Sequence, residues 1–140
     1  MDNDVLLNKL ESLRRCVARI EQKTPETLAE LVDDIDLQDI IVLNLERAVQ
    51  VCVDIGLHVI SDLEVSVPDS MSATFRCLAK ANVISDEIAQ QMAKAVGFRN
   101  TAVHAYQAIN WAIVYTIINR SLDDFRNFSR QILTFIDSYS

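Results

Sequence analysis

The sequence predicts an all-α fold: a bundle of four main helices with short helices between them. Three observations carry this. Two glycines and two prolines among 140 residues leave little material for hairpins or long loops. Half of the residues are hydrophobic, and they recur at helical spacing. Asn, Asp and Ser residues stand just ahead of these apolar stripes, where they can cap a helix.

Asn3 or Asp4 can cap a first helix running to about Lys23, with Val5, Leu6, Leu10, Leu13, Val17 and Ile20 on one face. Thr24-Pro25 ends it. A short amphipathic stretch follows from Pro25 to Val32. Leu37 to Leu63 is apolar nearly all round, as expected of a central helix or one shared with a subunit interface, and Asp34 or Asp36 can cap it. Gly56 lowers helix propensity there, which close packing against a neighbour would offset. Pro68-Asp69-Ser70 is a stop followed by a start, and Phe75, Leu78 and Ala79 give the next helix its apolar face. Ser85-Asp86-Glu87 opens another helix, buried through Ile88, Met92, Ala95 and Val96. The segment from Ile109 to Ile118 is rich in β-branched residues, but a lone strand would have no partner. Ser121-Leu122-Asp123-Asp124 reads as a capping box for a last helix with Phe125, Phe128, Ile132, Phe135 and Ile136 on its core face.

Residues 1–140 read as one domain, long enough to bury a core without disulfides or a metal. Met1-Asp2-Asn3-Asp4 does not read as a secretory signal, and Ala48 to Ile60 is too short and polar to span a bilayer, so a cytoplasmic protein is expected. Cys16, Cys52 and Cys77 lack metal-type spacing and read as reduced thiols, mostly buried. The net charge of −7 argues against a non-specific DNA coat but leaves room for a local basic site.

The stretch richest in chemistry is Arg99-Asn100-Thr101-Ala102-Val103-His104-Ala105-Tyr106, just after Gly97. On one unbroken helix the Arg99 and His104 side chains would stand about 140° apart. Either the helix breaks near Gly97–Asn100, or the two groups meet in a site completed by a second chain. His104 and Tyr106 would also diverge on a helix but sit together on an extended turn.

Arg99 to Tyr106, as Arg-Asn-x-x-Val-His-x-Tyr, resembles the signature of the HEPN superfamily, in which an Arg, often followed by a polar residue, is separated from a His by roughly four to six intervening positions. The Tyr two residues after the His resembles the HepT-type branch. The long apolar helix from Leu37 through His58 is similar to that branch's second helix, so the resemblance covers most of the chain. It implies a homodimeric toxin ribonuclease of a toxin–antitoxin pair, with two copies of the motif in one cleft. It also implies an MNT-type nucleotidyltransferase antitoxin that transfers AMP to Tyr106. Arg99 and His104 are then the catalytic residues, Asn100 a substrate-binding residue, and no cofactor or metal is required. The apolar excess of the Leu37–Leu63 helix points to dimerisation as well.

The chemistry of these residues suits RNA. A His with pKa near neutrality can move the 2′-OH proton, and an Arg fork matches phosphate oxygens. With His104 from each subunit as base and acid and both Arg99 groups on the phosphate, the product is a 2′,3′-cyclic phosphate, and DNA is spared. AMP on Tyr106 would add bulk and negative charge beside Arg99.

Plainer roles stand beside these. Arg99 can pair with an acid, Tyr106 can be a packed ring, and His58, four residues after Asp54, can form a structural pair with it. Trp111 and Tyr115 fit a core better than a stacking platform. Arg76, Lys80 and Lys94 can fringe an RNA cleft or be scattered solvated charges. The alternative function is a non-catalytic HEPN-like scaffold that binds nucleotide or a nucleotidyltransferase, or an inert subunit that only docks the latter.

Overall fold

The computed structural model describes residues 2–139. Four long helices form the bundle: α1 (Asn3–Lys23), α3 (Ile35–Ile60), α5 (Asp86–His104) and α7 (Leu122–Ser138). Between them lie the shorter α2 (Leu28–Asp33), α4 (Met71–Lys80) and α6 (Trp111–Arg120), and a single 3-10 turn at Tyr106–Ala108. The predicted all-helical architecture is therefore the observed one, and the β-branched Ile109–Ile118 region is helical from Trp111 onward.

Local chemistry places the helix ends. Asp2, one residue earlier than expected, caps α1 by accepting the backbone N–H groups of Asp4 and Val5 at 3.1 and 3.3 Å. Asp34 caps α3 through the N–H of Leu37, Ser70 caps α4 through that of Ala73, and Ser85 caps α5 through that of Ile88. Asn82 adopts a left-handed φ of 61° just after α4. There Val83 N–H donates to the Leu78 carbonyl and Asn82 N–H to that of Ala79, closing the helix in a Schellman motif. The expected capping box at Ser121 does not form. Ser121 has near-helical backbone angles, because its N–H closes α6 on the Ile117 carbonyl while its own carbonyl starts α7. Its hydroxyl is thus not turned onto the first N–H groups of α7.

The apolar stripes meet in one cluster. Leu6, Leu13 and Ile20 of α1 are buried along α3, whose Ile41, Leu45, Ala48, Cys52 and Ile55 are likewise closed to solvent. Phe75 of α4 meets Phe128 of α7 edge to face, with ring centroids 5.7 Å apart. Gly56 lets α4 approach α3: a Cβ there would stand 2.8 Å from Thr74 Cγ2 and 3.0 Å from Leu78 Cδ1. Cys16 and Cys52 are buried, Cys77 is half-buried, and all three are free thiols. Among the described residues no helix is long and apolar enough to cross a membrane.

Candidate active site

Helix α5 runs without interruption through Gly97 to His104. The predicted alternative of a break near Gly97–Asn100 is therefore overturned. Gly97 lies inside this helix, and a Cβ at this position would meet nothing within 4 Å. It borders a cavity of about 510 Å³ that also touches Phe98, Ile109 and Ile113.

The register of α5 separates the two motif residues. Ile88, Ala89, Met92, Val96 and Ala102 are the buried residues of α5, with Ala95 partly buried beside them, and Arg99 falls one turn after Ala95 and one turn before Ala102. Arg99 is accordingly half-buried against α3, whereas His104 stands on the solvent side. Within one chain, Arg99 and His104 do not converge.

What meets Arg99 is a pair of amides. Its Nη1 donates to Asn100 Oδ1 at 3.4 Å and its Nη2 to Gln50 Oε1 at 3.5 Å. Gln50 in turn donates from Nε2 to Asp54 Oδ1 at 3.0 Å. The guanidinium has no carboxylate within ion-pair distance among the described residues, so the plainer role of a paired surface Arg does not hold. Asp54 is engaged by Gln50 and forms no pair with His58, correcting that expectation. Asn100 sits with Arg99 rather than with His104.

His104 is exposed, and its imidazole makes no hydrogen bond to the described residues. It occupies the last position of α5. The chain then leaves helical angles at Ala105, with φ −148° and ψ 55°, and Tyr106 begins the 3-10 turn. The Tyr106 phenol does not turn back to His104. It donates to Asp39 Oδ1 of α3 at 2.9 Å, and its ring meets Trp111 edge to face at 6.1 Å. Burial first, then the Asp39 hydrogen bond and the charges of Asp39 and Glu46, push this phenol up to about 12.

Asp39, Glu46 and Gln50 were not legible as site partners from the motif alone. The available signal was polar residues on one stripe of an otherwise apolar helix, since positions 39, 43, 46, 50, 54 and 57 share a face. The stripe remains open between its polar contacts: Leu43 and Leu57 are 43% and 39% exposed.

Trp111 and Tyr115 pack partly buried against the core, and the Tyr115 hydroxyl donates to the Glu26 carbonyl at 2.7 Å, as suits a structural pair. Arg76, Lys80 and Lys94 border one groove between α4 and α5, together with Asp86. Lys94 lies about 15 Å along the α5 axis from His104.

Comparison with known proteins assigns the family. Residues 13–132 match the family model described as "Ribonuclease HepT-like". The chain is 36% identical over 126 residues to the mRNA nuclease HepT of Shewanella oneidensis, covering 90% of this chain and 94% of that one. It is 25% identical over 132 residues to the tRNA nuclease HepT of Aphanizomenon flos-aquae, covering 94% and 90%. Its fold superposes with a TM-score of 0.89 on the tri-AMPylated Shewanella oneidensis HEPN toxin solved in complex with an MNT antitoxin, at 34% identity over 96% of this chain and 99% of that one. The chain belongs to the HepT-like ribonuclease family.

Proposed function

We propose that this chain is the toxin of a toxin–antitoxin pair, a metal-independent endoribonuclease that works as a homodimer on cytoplasmic RNA. The observation that carries it is the state of Arg99. A half-buried guanidinium held by two neutral amides has no carboxylate to compete with a phosphate for its planar fork among the described residues. His104 adds an exposed imidazole that makes no hydrogen bond to the described residues.

Because the two residues diverge on α5, a phosphate gripped by Arg99 needs an imidazole from elsewhere, and a second copy brings one. In the dimer one His104 takes the 2′-OH proton, the other protonates the leaving 5′-oxygen, and the Arg99 groups hold the phosphorane charge. Asn100 keeps its neighbour's guanidinium in place. The nuclease names of the two relatives favour this enzyme over a non-catalytic scaffold.

Control follows from Tyr106, which is 39% exposed and within two residues of His104. Transfer of AMP to its hydroxyl by an MNT-type nucleotidyltransferase would place a phosphate anion at the mouth of the cleft and compete with RNA. The AMPylated toxin in the related complex supports this assignment.

The test uses labelled RNA with the purified protein, its Arg99→Ala and His104→Ala forms, and the protein after treatment with a nucleotidyltransferase and ATP. Cleavage by the wild type alone, unaffected by EDTA, ending in a 2′,3′-cyclic phosphate and absent on DNA, is expected. Cleavage that survives both substitutions, or extends to DNA, would overturn the mechanism.

A further inference from the structure

Tyr106 is held by a residue that lies 67 positions away in sequence. Its Oη donates to Asp39 Oδ1 at 2.9 Å, and among the described residues Asp39 has no other polar partner. Asp39 is exposed on α3, so its carboxylate is in contact with both the phenol and the solvent. Trp111 braces the ring from α6. The charged groups acting on the phenol are both acidic, Asp39 and Glu46 of α3. The ionisable residue nearest to Tyr106 in sequence is His104 at the end of α5, and α6 presents the uncharged Trp111 indole to the ring.

This setting makes spontaneous phenolate formation unfavourable. A phenol titrating at about 12 is ionised to roughly one part in 100,000 at pH 7. Nucleophilic attack from such a group requires that the proton leave as the new bond forms, to a base already hydrogen-bonded to it.

We propose that Asp39 is that base: its carboxylate accepts the Tyr106 phenolic proton during adenylylation. This rests on Tyr106 being the AMP acceptor. As Oη bonds to the α-phosphorus of ATP, the bond from that phosphorus to the bridging oxygen breaks and its electron pair departs with pyrophosphate. The Oη proton moves to Asp39 and from there to solvent. The product phosphodiester has no proton to donate and is anionic, so it faces Asp39 and Glu46 as a like charge. The modified side chain therefore leaves the contact that activated it.

The test follows AMP addition by intact mass, with ATP and the cognate nucleotidyltransferase, for the wild type, Asp39→Asn, Asp39→Glu and Tyr106→Phe between pH 6 and 9. Asp39→Asn is expected to slow addition about 100-fold at pH 7, with a rate that climbs about tenfold per pH unit as phenolate takes over. The wild-type rate should stay flat, and Asp39→Glu should recover part of it. Absorbance titration should show the phenol of Asp39→Asn ionising nearer the ordinary tyrosine value than about 12. Addition to Asp39→Asn at the wild-type rate would overturn the proposal. So would loss of its co-elution with the nucleotidyltransferase, which would make Asp39 a docking residue. Undiminished addition to Tyr106→Phe would instead overturn the acceptor assignment, whatever Asp39 does.

Discussion

Arg99 and His104 belong to one uninterrupted helix whose register directs them about 140° apart, one half-buried toward α3 and the other exposed. Activity should therefore depend on assembly. Specific RNA-cleaving activity is expected to fall on dilution in step with the loss of dimer measured by sedimentation. Constant specific activity across the dimer-to-monomer transition would rule out a shared cleft.

The two motif substitutions should differ in kind. Arg99→Lys keeps the charge but loses the planar fork that reaches Asn100 and Gln50 together, so a drop of at least tenfold in kcat/KM is expected. His104→Ala removes proton transfer and should cost about 100- to 10,000-fold in kcat. Because His104 is exposed and makes no hydrogen bond to the described residues, its melting temperature should stay near that of the wild type. Thermal denaturation beside the kinetics separates lost chemistry from lost fold.

The two glycines should respond to alanine with opposite signs. At Gly97 the added Cβ meets nothing within 4 Å in a helix interior, and stability should rise by about 0.5–1 kcal/mol. At Gly56 the Cβ would stand 2.8 Å from Thr74 Cγ2. Thr74 is itself tied by its hydroxyl to the Ser70 carbonyl at 3.1 Å, so it cannot simply turn away. Overpacking of about 1–3 kcal/mol should outweigh the helix-propensity gain and lower the melting temperature. Denaturant unfolding of the two variants checks both signs.

Tyr106 should leave a mark on alkaline stability. Its phenol is raised to about 12 in the folded chain, above the ordinary tyrosine value of about 10. A raised folded value means the neutral form is favoured by folding. The stabilisation is fully present below about pH 10 and is lost as pH rises through about 12. Tyr106→Phe should flatten that part of the stability–pH curve and cost under about 1 kcal/mol at neutral pH, since the pair is open to solvent. Guanidinium melts at pH 8 to 12 read it directly.

Much of this protein was legible in the chain itself. The helical period, the caps at Asp34, Ser70 and Ser85, and the scarcity of glycine and proline determine four long helices and their buried faces, because these are local preferences. The Arg-x4-His-x-Tyr motif could be picked out as a candidate site for the same reason: its residues lie within eight positions. Even the close approach at Gly56 was foreshadowed by a glycine inside an apolar helix. Tertiary structure decided the rest. That α5 continues through Gly97 accompanies the packing of α5 as a whole against α3, α4 and α7, which a local count of glycine cost does not contain. Ser121 fails as a side-chain cap because two helices share it. Gln50 reaching Arg99 and Asp39 reaching Tyr106 link residues 49 and 67 positions apart, and only the packing of α3 against the end of α5 brings them within hydrogen-bond range.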